Sequence, residues 1–278
     1  MATTDITLAI PCYNAVDSIG RVFDAVDDLT VRPDAVLCVD GESDDGTREV
    51  VRDHPTARLV RQEDHGGTGV ADARNVALSL TETSLVGFLD ADAAPHPEWL
   101  ETLTRVLDEK DVAAAGGLPV EVVTTRADRW RKWHLGLNFG DHRGYVHGIA
   151  GNNGLFRTAA LRDVGGWRTD VGASEDLELC ERLVAADYDI YYTSDAVVDH
   201  IRTDTPESVL DTVWNYHFTG GDEPTSAASL LPRFLLHGGK CAKYVLWDVE
   251  NRNWGIIPVT LRLPLVHARR DIRHLRGK

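Results

Sequence analysis

The chain has 278 residues, of which 43% are apolar, and this is enough for a sizeable hydrophobic core. Its formal net charge of −15 at pH 7 makes nucleic acid a poor partner. Because no run of about 18 consecutive apolar residues occurs and no basic segment leads into an apolar run at the N-terminus, we expect neither a membrane-spanning helix nor a signal peptide.

Acidic residues greatly outnumber lysines. The chain has 44 Asp and Glu against 29 Lys and Arg, and only five of the latter are lysines. This composition is similar to that of proteins from salt-loving archaea, whose surfaces stay hydrated in concentrated salt; the alternative is an ordinary acidic cytosolic protein. Four widely spaced cysteines form no C-x-x-C pair, which favours structural thiols, a reducing compartment and a cytoplasmic location.

Residues 1–111 alternate between strand and helix patterns. In chain order these are ITLAI, SIGRVFDAVDDL, AVLCVD, GTREVVRD, ARLVR, GVADARNVALSL, SLVGFLD and PEWLETLTRVLDE, each strand followed by a helix. Alternation at this spacing predicts parallel βαβ units with ligands bound at the carboxyl ends of the strands. No G-x-G-x-x-G follows the first strand and no P-loop motif occurs, so a Rossmann dehydrogenase and a P-loop NTPase are disfavoured.

Residues 112–202 are less regular. DVAAAGGLPVEVV predicts a strand, RADRWRKWHLGL an aromatic and basic helix or loop, and GNNGLFR a turn leading into a short strand. TAALRDVGGW and SEDLELCERLVAAD predict helices, and DIYYTSDAVVDH predicts a strand or a strand pair. We therefore expect one domain over residues 1–202, with a nucleotide-binding half at 1–111 and a mixed half at 112–202.

Residues 203–278 predict a helical, basic C-terminal extension. Within it, residues 232–278 hold ten Lys or Arg against three Asp or Glu, an excess of seven positive charges, whereas the rest of the chain carries an excess of 22 negative charges. Leucine and tryptophan lie between the basic residues. Two alternatives follow: peripheral contact with the surface of an anionic membrane, or helices that pack on the main domain or on a second subunit.

Two aspartates end the predicted strand SLVGFLD. Asp90 and Asp92 are separated by one alanine, so their carboxylates repel each other unless a cation or solvent lies between them. Oxygen ligands of this kind hold Mg²⁺ or Mn²⁺ and leave coordination sites for phosphate oxygens. The alternative is a solvated strand end or a helix cap.

Eight short motifs occur in order along the chain. They are AIPCYNA at 9–15, VDGESDDGT at 39–47, GVADARNVAL at 69–78, FLDADAAP at 88–95, GNNGLFR at 151–157, VGGW at 164–167, SEDLELCERL at 174–183 and VVDHIR at 197–202. Together they resemble the inverting family-two glycosyltransferases of the GT-A fold. Two departures are Gly41, where relatives carry a second acid after Asp40, and the plain AAPHP stretch after Asp92.

The resemblance implies an α/β fold of the GT-A nucleotide-diphospho-sugar transferase type, with a mainly parallel central sheet flanked by helices. It implies a metal-dependent enzyme that moves a sugar from a nucleotide diphosphate, expected to be a UDP-sugar, to an acceptor with inversion. We expect the acceptor to be linked to polyprenyl or dolichyl phosphate, at the cytoplasmic face of the cell membrane. The alternatives are a soluble polysaccharide or small-glycoside transferase and a non-catalytic sugar-nucleotide-binding protein.

The resemblance also assigns donor-side residues. Asp92 and His200 would bind Mn²⁺ or Mg²⁺, Asp90 would lie near the ribose, and Asp40 would accept a hydrogen bond from the base, as relatives do with uracil. Arg74 has two alternatives, a contact with phosphate or an ion pair in the core, and His200 has a structural alternative. The remaining donor-side residues are Pro11, Tyr13, Asn14 and Asn153.

The catalytic and acceptor-side residues come from the later motifs. SEDLEL places Glu175 and Asp176 at a predicted helix N-terminus, where the helix dipole favours ionised carboxylates. In the resembled family the second acid deprotonates the acceptor hydroxyl, so Asp176 is the expected general base. Gly166 and Trp167 are expected on the acceptor side, with Trp167 stacking on a sugar or belonging to the core.

Overall fold

A computed structural model describes residues 5–136, 140–171, 175–218 and 224–276. Within these ranges the chain forms nine strands, which are β1 (Ile6–Cys12), β2 (Ala35–Asp40), β3 (Ala57–Arg61), β4 (Leu85–Leu89), β5 (Ala93–Pro95), β6 (Ala114–Glu121), β7 (Arg143–Tyr145), β8 (Asn153–Arg157) and β9 (Ile190–His200).

The same ranges hold eleven α-helices. They are α1 (Ile19–Asp27), α2 (Thr47–Asp53), α3 (Gly69–Leu80), α4 (Trp99–Lys110), α5 (Arg126–His134), α6 (Thr158–Asp163), α7 (Glu175–Ala185), α8 (Pro206–Phe218), α9 (Leu230–Glu250), α10 (Ile257–Thr260) and α11 (Leu263–Arg276). All eight elements predicted for residues 1–111 are confirmed, and the short strand β5 is one that the sequence analysis did not predict.

The nine strands form one sheet. Its order is β3-β2-β1-β4-β8-β6-β9-β5, and β7 pairs with β9. The first four strands in this order run parallel, whereas β8 pairs with β4 in the antiparallel direction. The sheet is therefore mixed, and the mainly parallel character that we predicted holds for the half built from residues 6–89.

Burial on both faces explains the composition of the central strands. Every residue of β1 and of β4 is buried, and both segments are almost entirely apolar. Helix α1 buries Ile19, Val22, Phe23 and Val26, a spacing that places the four side chains on one helical face. The strands therefore form the middle layer of the core, with their carboxyl ends at one edge of the sheet.

Two pairings determine which residues meet at that edge. Cys12 at the end of β1 is the register partner of Asp40 at the end of β2. In the antiparallel part, Ala93 of β5 is the partner of His200 at the end of β9, and the Ile201 amide donates to the Asp92 carbonyl at 2.8 Å. These registers bring residues from distant parts of the chain beside the ends of the parallel strands.

The chain divides into two compact units. The first contains the sheet and is formed by residues up to Val120 together with described residues of 137–170 and 174–202. The second groups Glu121–Gly136 with the residues from Thr203 onward, so that α5 belongs with the C-terminal helices. A helical C-terminal region is thus present, and helix α5, which precedes it by some 70 residues, contributes to the same core.

The second unit has its own apolar core. Trp130 of α5 packs with residues of α8, α10 and α11, which are Val209, Leu210, Val213, Val259, Leu263 and Val266. No helix among residues 5–136, 140–171, 175–218 and 224–276 is long and apolar enough to cross a membrane.

Candidate active site

Arg74 is the centre of a cluster of carboxylates in the first unit. It lies on α3 and is only 2% exposed. Its Nη1 atom donates to Glu175 Oε1 at 2.9 Å and to Asp176 Oδ1 at 2.7 Å, and its Nη2 atom donates to Asp90 Oδ1 at 3.2 Å. Of the two alternatives for Arg74, the structure therefore favours the buried ion pair over a direct contact with phosphate.

The predicted metal ligands lie beside this cluster. Asp90 follows the last residue of β4, and Asp92 lies two residues further on, next to β5. The pairing of β5 with β9 brings His200 to Asp92, with 3.4 Å between His200 Nε2 and Asp92 Oδ2. Both side chains retain some exposure, 17% for His200 and 25% for Asp92, so this pair lies at the surface end of the sheet.

Asp176 is held in place by three donors. It occupies the first turn of α7, an 11-residue helix that begins at Glu175. The Gly151 amide donates to Asp176 Oδ2 at 3.1 Å, and Trp167 Nε1 donates to Oδ1 at 3.3 Å, in addition to Arg74. A Cβ atom at position 151 would lie 2.1 Å from this carboxylate, so glycine is required there. The carboxylate remains 27% exposed, which leaves it open to a substrate.

Burial and mutual repulsion raise the pKa of two acids in the cluster. Burial is the largest cause for Asp90, whose pKa rises to about 6; Arg74 lowers it, while Asp92 and Asp176 raise it. Burial also raises the pKa of Glu175, assisted by Asp176 and opposed by Arg74. One buried arginine does not fully compensate these carboxylates, so the site has an excess of negative charge.

The predicted base-binding residues lie at the ends of β1 and β2. Asp40 is fully buried, and its carboxylate accepts hydrogen bonds from the Ser43 amide and from Arg48 Nε. Arg48 also donates to Glu63 Oε1 at 3.0 Å. Asp40 thus has protein partners mainly at its Oδ1 atom, and the carboxylate has further lone pairs for a base N–H.

The turn after β1 combines a buried and an exposed part. Pro11 is buried within β1, whereas Tyr13 is 66% exposed and Asn14 is exposed with a φ of 47°. Asn14 Oδ1 accepts a hydrogen bond from the Asp44 amide at 3.0 Å, which ties this turn to the loop after β2. The exposed ring of Tyr13 is the part of this turn that is free to contact a planar base.

Two predicted contact residues, Asn153 and Trp167, are buried in the structure. Asn153 is 0% exposed and accepts a hydrogen bond from Trp99 Nε1 at 2.6 Å, so it connects β8 to α4, and its contact with a donor stays a prediction. Trp167 is 3% exposed and packs edge-on against Phe88, with 4.6 Å between ring centroids. The core alternative therefore describes Trp167, which contacts Asp176 through its indole nitrogen.

Packing against α3 constrains the conformation of Gly166. Its φ is +71°, and a Cβ atom there would lie 2.4 Å from Asn75 Oδ1. The Asn75 side chain donates to the Trp167 carbonyl and accepts from the Trp167 amide, both at 2.8 Å. The glycine turn is thus fixed against the helix that carries Arg74, and its contact with an acceptor stays a prediction.

Comparison with known proteins agrees with this geometry. Residues 4–215 match the model of the family described as glycosyltransferase like family 2, which is more than half of the chain. The chain belongs to this family. The ordered motifs, the mixed sheet and the acidic edge are thereby accounted for by one family fold.

Two curated relatives and one solved structure indicate the range of this family. A pre-mycofactocin glycosyltransferase of Mycobacterium tuberculosis is 29% identical over 268 residues, covering 88% of this chain and 53% of that protein. A glucosyl-dolichyl phosphate glucuronosyltransferase of Haloferax volcanii is 25% identical over 169 residues, covering 58% of this chain and 54% of that protein. The chain spans about half the length of these relatives.

The solved structure supports the fold. It is a mannosyltransferase of Pyrobaculum calidifontis in complex with GDP-mannose and Mn²⁺, with a TM-score of 0.60 and 20% identity. The match covers 95% of this chain and 86% of that one. The GT-A type of architecture predicted from the motifs is therefore confirmed.

The acidic edge of this family-two protein fits a divalent cation. No group of three or more His, Cys, Asp or Glu side chains in the described part of the chain is arranged to enclose a metal ion. Mg²⁺, however, is commonly bound by one or two carboxylates together with substrate phosphates. Asp92 and His200 lie close enough together to contribute to such a partial site, and their binding of a metal stays a prediction.

Sequence reasoning missed several residues that organise the site. Arg48 neutralises Asp40, Asn75 fixes the glycine turn, and Trp99 contacts Asn153. Arg48 and Asn75 lie within or directly after quoted motifs, at SDDGTR and DARN, and this proximity was a usable signal. Trp99 begins a helix among ordinary apolar residues and carried no signal of its own.

Proposed function

We propose that this protein is an inverting, metal-dependent glycosyltransferase that moves a sugar from a nucleoside diphosphate to a lipid-linked acceptor. The observation that supports this most directly is the position of Asp176. Its partly exposed carboxylate is oriented by Gly151, Trp167 and Arg74, and Arg74 also contacts Asp90, two residues from Asp92. A base and a diphosphate-binding edge are thus linked through one arginine.

Inversion requires one direct displacement at the anomeric carbon. The acceptor oxygen forms a bond to that carbon from the side opposite the diphosphate, and the bond between the carbon and the diphosphate oxygen breaks with its electron pair. Asp176 takes the acceptor proton as the new bond forms. An acceptor that arrives as an ionised lipid phosphate has no such proton to lose, and Asp176 then orients it.

The donor side is supported by Asp92, His200 and the base-binding turn. A Mn²⁺ or Mg²⁺ ion held by Asp92 and His200 would neutralise charge on the diphosphate. Asp40 would accept a hydrogen bond from uracil, while Tyr13 and Asn14 would line the base and Asp90 the ribose. The preference for a UDP-sugar rests on Asp40 alone, since the mannosyltransferase of known structure was solved with a guanosine donor.

The lipid-linked acceptor is supported by a relative. The Haloferax volcanii protein is named for transfer to a glucosyl-dolichyl phosphate. The acid-rich, lysine-poor composition supports function of this chain in concentrated salt. An acceptor of this class would place the enzyme at the cytoplasmic face of a membrane, in peripheral contact through its C-terminal segment.

A donor screen tests the proposal. The protein is incubated with UDP-, GDP- and dTDP-sugars, with Mn²⁺, with Mg²⁺ or with a chelator, and release of the nucleotide is measured with and without dolichyl or polyprenyl phosphate. We expect metal-dependent release that increases with acceptor, and NMR of the product should report an inverted anomeric centre. Retention of configuration would contradict the mechanism, and release at the parental rate by the Asp176→Asn variant with an acceptor that reacts through a hydroxyl group would contradict the role of Asp176 as the base.

A further inference from the structure

Helix α9 exposes apolar side chains on its outer side and buries several polar ones on its inner side, next to Cys241, Tyr244 and Val245 of the apolar core. Arg233, His237 and Asp248 lie on its inner, buried side. Its outer side exposes apolar residues, with Leu231 at 68%, Phe234 at 41%, Leu235 at 66% and Leu246 at 63%. Leu231 and Leu246 are about 22 Å apart along the axis at 1.5 Å per residue, so the apolar stripe covers most of the helix.

The inner polar side chains hold the helix in this orientation. Arg233 Nε donates to Asp271 Oδ2 at 2.9 Å, and His237 Nε2 lies 3.2 Å from the same oxygen. Asp248 Oδ2 accepts from Thr260 Oγ1 at 2.8 Å. A rotation that buried the leucines would leave these groups without partners, which is costly in a buried site. The outward apolar stripe is therefore a fixed feature of the second unit.

Aromatic residues extend the exposed apolar surface at the C-terminal end of α9. Trp133 of α5 and Trp247 of α9 pack with 6.4 Å between ring centroids, and both remain partly exposed. Trp254, in the loop after α9, is 60% exposed. Tryptophan is enriched where one part of the ring meets lipid and the indole N–H meets water.

Exposed basic side chains occur on α5, near Trp254, and on α11. Arg126 and Arg129 line a cleft at the start of α5 with Gly255, the residue after Trp254. Arg129 Nη1 lies 3.6 Å from the position of a Cβ atom on Gly255. On α11, the exposed residues Leu265, Arg269, Ile272 and Arg276 recur at helical spacing and alternate apolar with basic.

We propose that this surface binds the headgroup region of an anionic lipid bilayer. The docking face is formed by Leu231, Phe234, Leu235, Leu246, Trp133, Trp247 and Trp254, with Arg126, Arg129, Arg269 and Arg276 as its basic residues. This proposal rests on the proposed function, because a lipid-linked acceptor would require the enzyme to work at a membrane. The binding itself needs neither donor nor acceptor.

Charge distinguishes a bilayer from a second copy of the chain as the occupant. Two copies joined through this face would bring together two segments that each carry an excess of seven positive charges. An anionic surface instead complements that charge and repels the remainder of the chain, which is strongly acidic. In molar salt the Debye length is about 3 Å, so the apolar residues must account for most of the binding there.

Co-sedimentation with vesicles tests the proposal with the full chain. Vesicles of phosphatidylglycerol and phosphatidylcholine in equal parts are compared with phosphatidylcholine alone, at low salt and in molar salt, with no nucleotide or acceptor present. We expect binding to the mixed vesicles at both salt concentrations and weaker binding to phosphatidylcholine at low salt. Equal binding to the two lipid compositions at low salt would overturn the anionic assignment.

Matched variants identify the face. Replacing Leu231, Leu235 and Leu246 with serine should lower the partition coefficient by about tenfold or more for each leucine that inserts. Tyr145→Ser, an exposed aromatic residue of the first unit, should leave binding unchanged. Circular dichroism melting of every variant checks that it is folded, and Arg269→Gln with Arg276→Gln should weaken binding at low salt only.

Tryptophan fluorescence reports insertion independently of sedimentation. Vesicles that contain brominated lipid should quench the exposed Trp133, Trp247 and Trp254, and replacing these three with phenylalanine should remove the quenching, because Trp99, Trp130, Trp167 and Trp214 are buried. An intact chain that stays in the supernatant at both salt concentrations would overturn the proposal. A concentration-dependent dimer without lipid binding would do so too, and would assign the face to a second copy. Nucleotide release in the donor screen is unaffected by either result.

Discussion

Arg74 and Asp176 lie 102 positions apart in the sequence, yet Arg74 Nη1 is 2.7 Å from Asp176 Oδ1. The same guanidinium contacts Glu175 and Asp90. One buried positive charge thus joins the helix that carries the expected base to the strand end that precedes the expected metal ligand. We therefore expect a change at Arg74 to affect both stability and catalysis.

Replacing Arg74 with methionine should destabilise the protein by about 3–5 kcal/mol, because Arg74 and Glu175 are both buried and the change leaves Glu175 without its counterion. Thermal and urea unfolding at neutral pH measure the loss. Arg105→Met removes an exposed arginine whose Nη1 is 3.7 Å from Glu109 and should cost little. An Arg74→Met variant as stable as the Arg105→Met variant would show that the cluster does not depend on Arg74.

Asp92→Ala should abolish the metal-dependent part of nucleotide binding while leaving the fold intact, because the side chain lies at the exposed end of the sheet. Calorimetry with UDP, with and without Mn²⁺, measures the effect. Asp199→Ala is the matched control, since Asp199 adjoins His200 on β9 but contacts His96 instead. Unchanged Mn²⁺-dependent binding in Asp92→Ala would remove this residue from the metal site.

UDP should bind more tightly than GDP, because the Asp40 carboxylate can accept the N–H of uracil. Asp40→Asn should reduce this selectivity, and competition calorimetry measures both nucleotides on the parent and the variant. Because Arg48 and Ser43 also bind Asp40, circular dichroism must establish that the variant is folded. A parent that prefers GDP would disprove the base assignment.

Asp176→Asn should preserve donor binding and lower turnover by about 10²- to 10⁴-fold, the usual effect of losing a general base. The amide keeps the size of the side chain but only one acceptor oxygen, so either the Gly151 amide or Arg74 and Trp167 lose their acceptor, and circular dichroism must establish that the variant is folded. Glu181→Gln, an exposed acid on the same helix, serves as the control. A parental rate in Asp176→Asn would indicate another base or an acceptor that arrives ionised.

The stability of the protein should fall as the pH drops from about 6.5 toward 3, in part through His267. Burial, reinforced by His237, lowers the pKa of His267 from 6.5 to about 3 in the folded state. The unfolded chain therefore binds a proton over this range that the folded chain does not, and acid favours unfolding.

His267→Gln tests this pH dependence. The variant should reduce the decline in melting temperature between pH 6.5 and pH 3 relative to the parent. His65→Gln, at an exposed position, should leave the decline unchanged. If the melting temperature declined equally with pH in the parent and in His267→Gln, His267 would not contribute to the acid sensitivity.

The sequence alone determined the first half of the fold and the family. Strands such as ITLAI and AVLCVD, buried on both faces, and helices with one apolar face follow from local periodicity, which needs no knowledge of distant contacts. The motif order also predicted Asp90, Asp92, Asp176 and His200 as site residues, and that assignment stays a prediction. Asp90 and Asp92 follow β4, so the predicted parallel topology is enough to place them at the carboxyl edge of the sheet.

Tertiary structure decided what periodicity and motifs left open. Arg74 had two alternatives, and only the packing of α3 against α7 selected the ion pair with Glu175 and Asp176. Trp167 and Asn153 looked like contact residues because polar and aromatic groups in motifs resemble ligand-binding groups, but both are buried. The pairing of β5 with β9, which brings His200 to Asp92, depends on contacts across more than 100 residues and has no local signal.

In the C-terminal segment, too, the sequence determined some features and the tertiary structure decided others. Its positive charge and its apolar content follow from composition. Helix α9, however, carries both polar and apolar residues all round, so the sequence could not show which side of the helix packs inward. The ion pairs of Arg233 and His237 with Asp271 fix that choice, since buried charges require partners. The outward position of Leu231, Leu235 and Leu246 is therefore a consequence of tertiary hydrogen bonding.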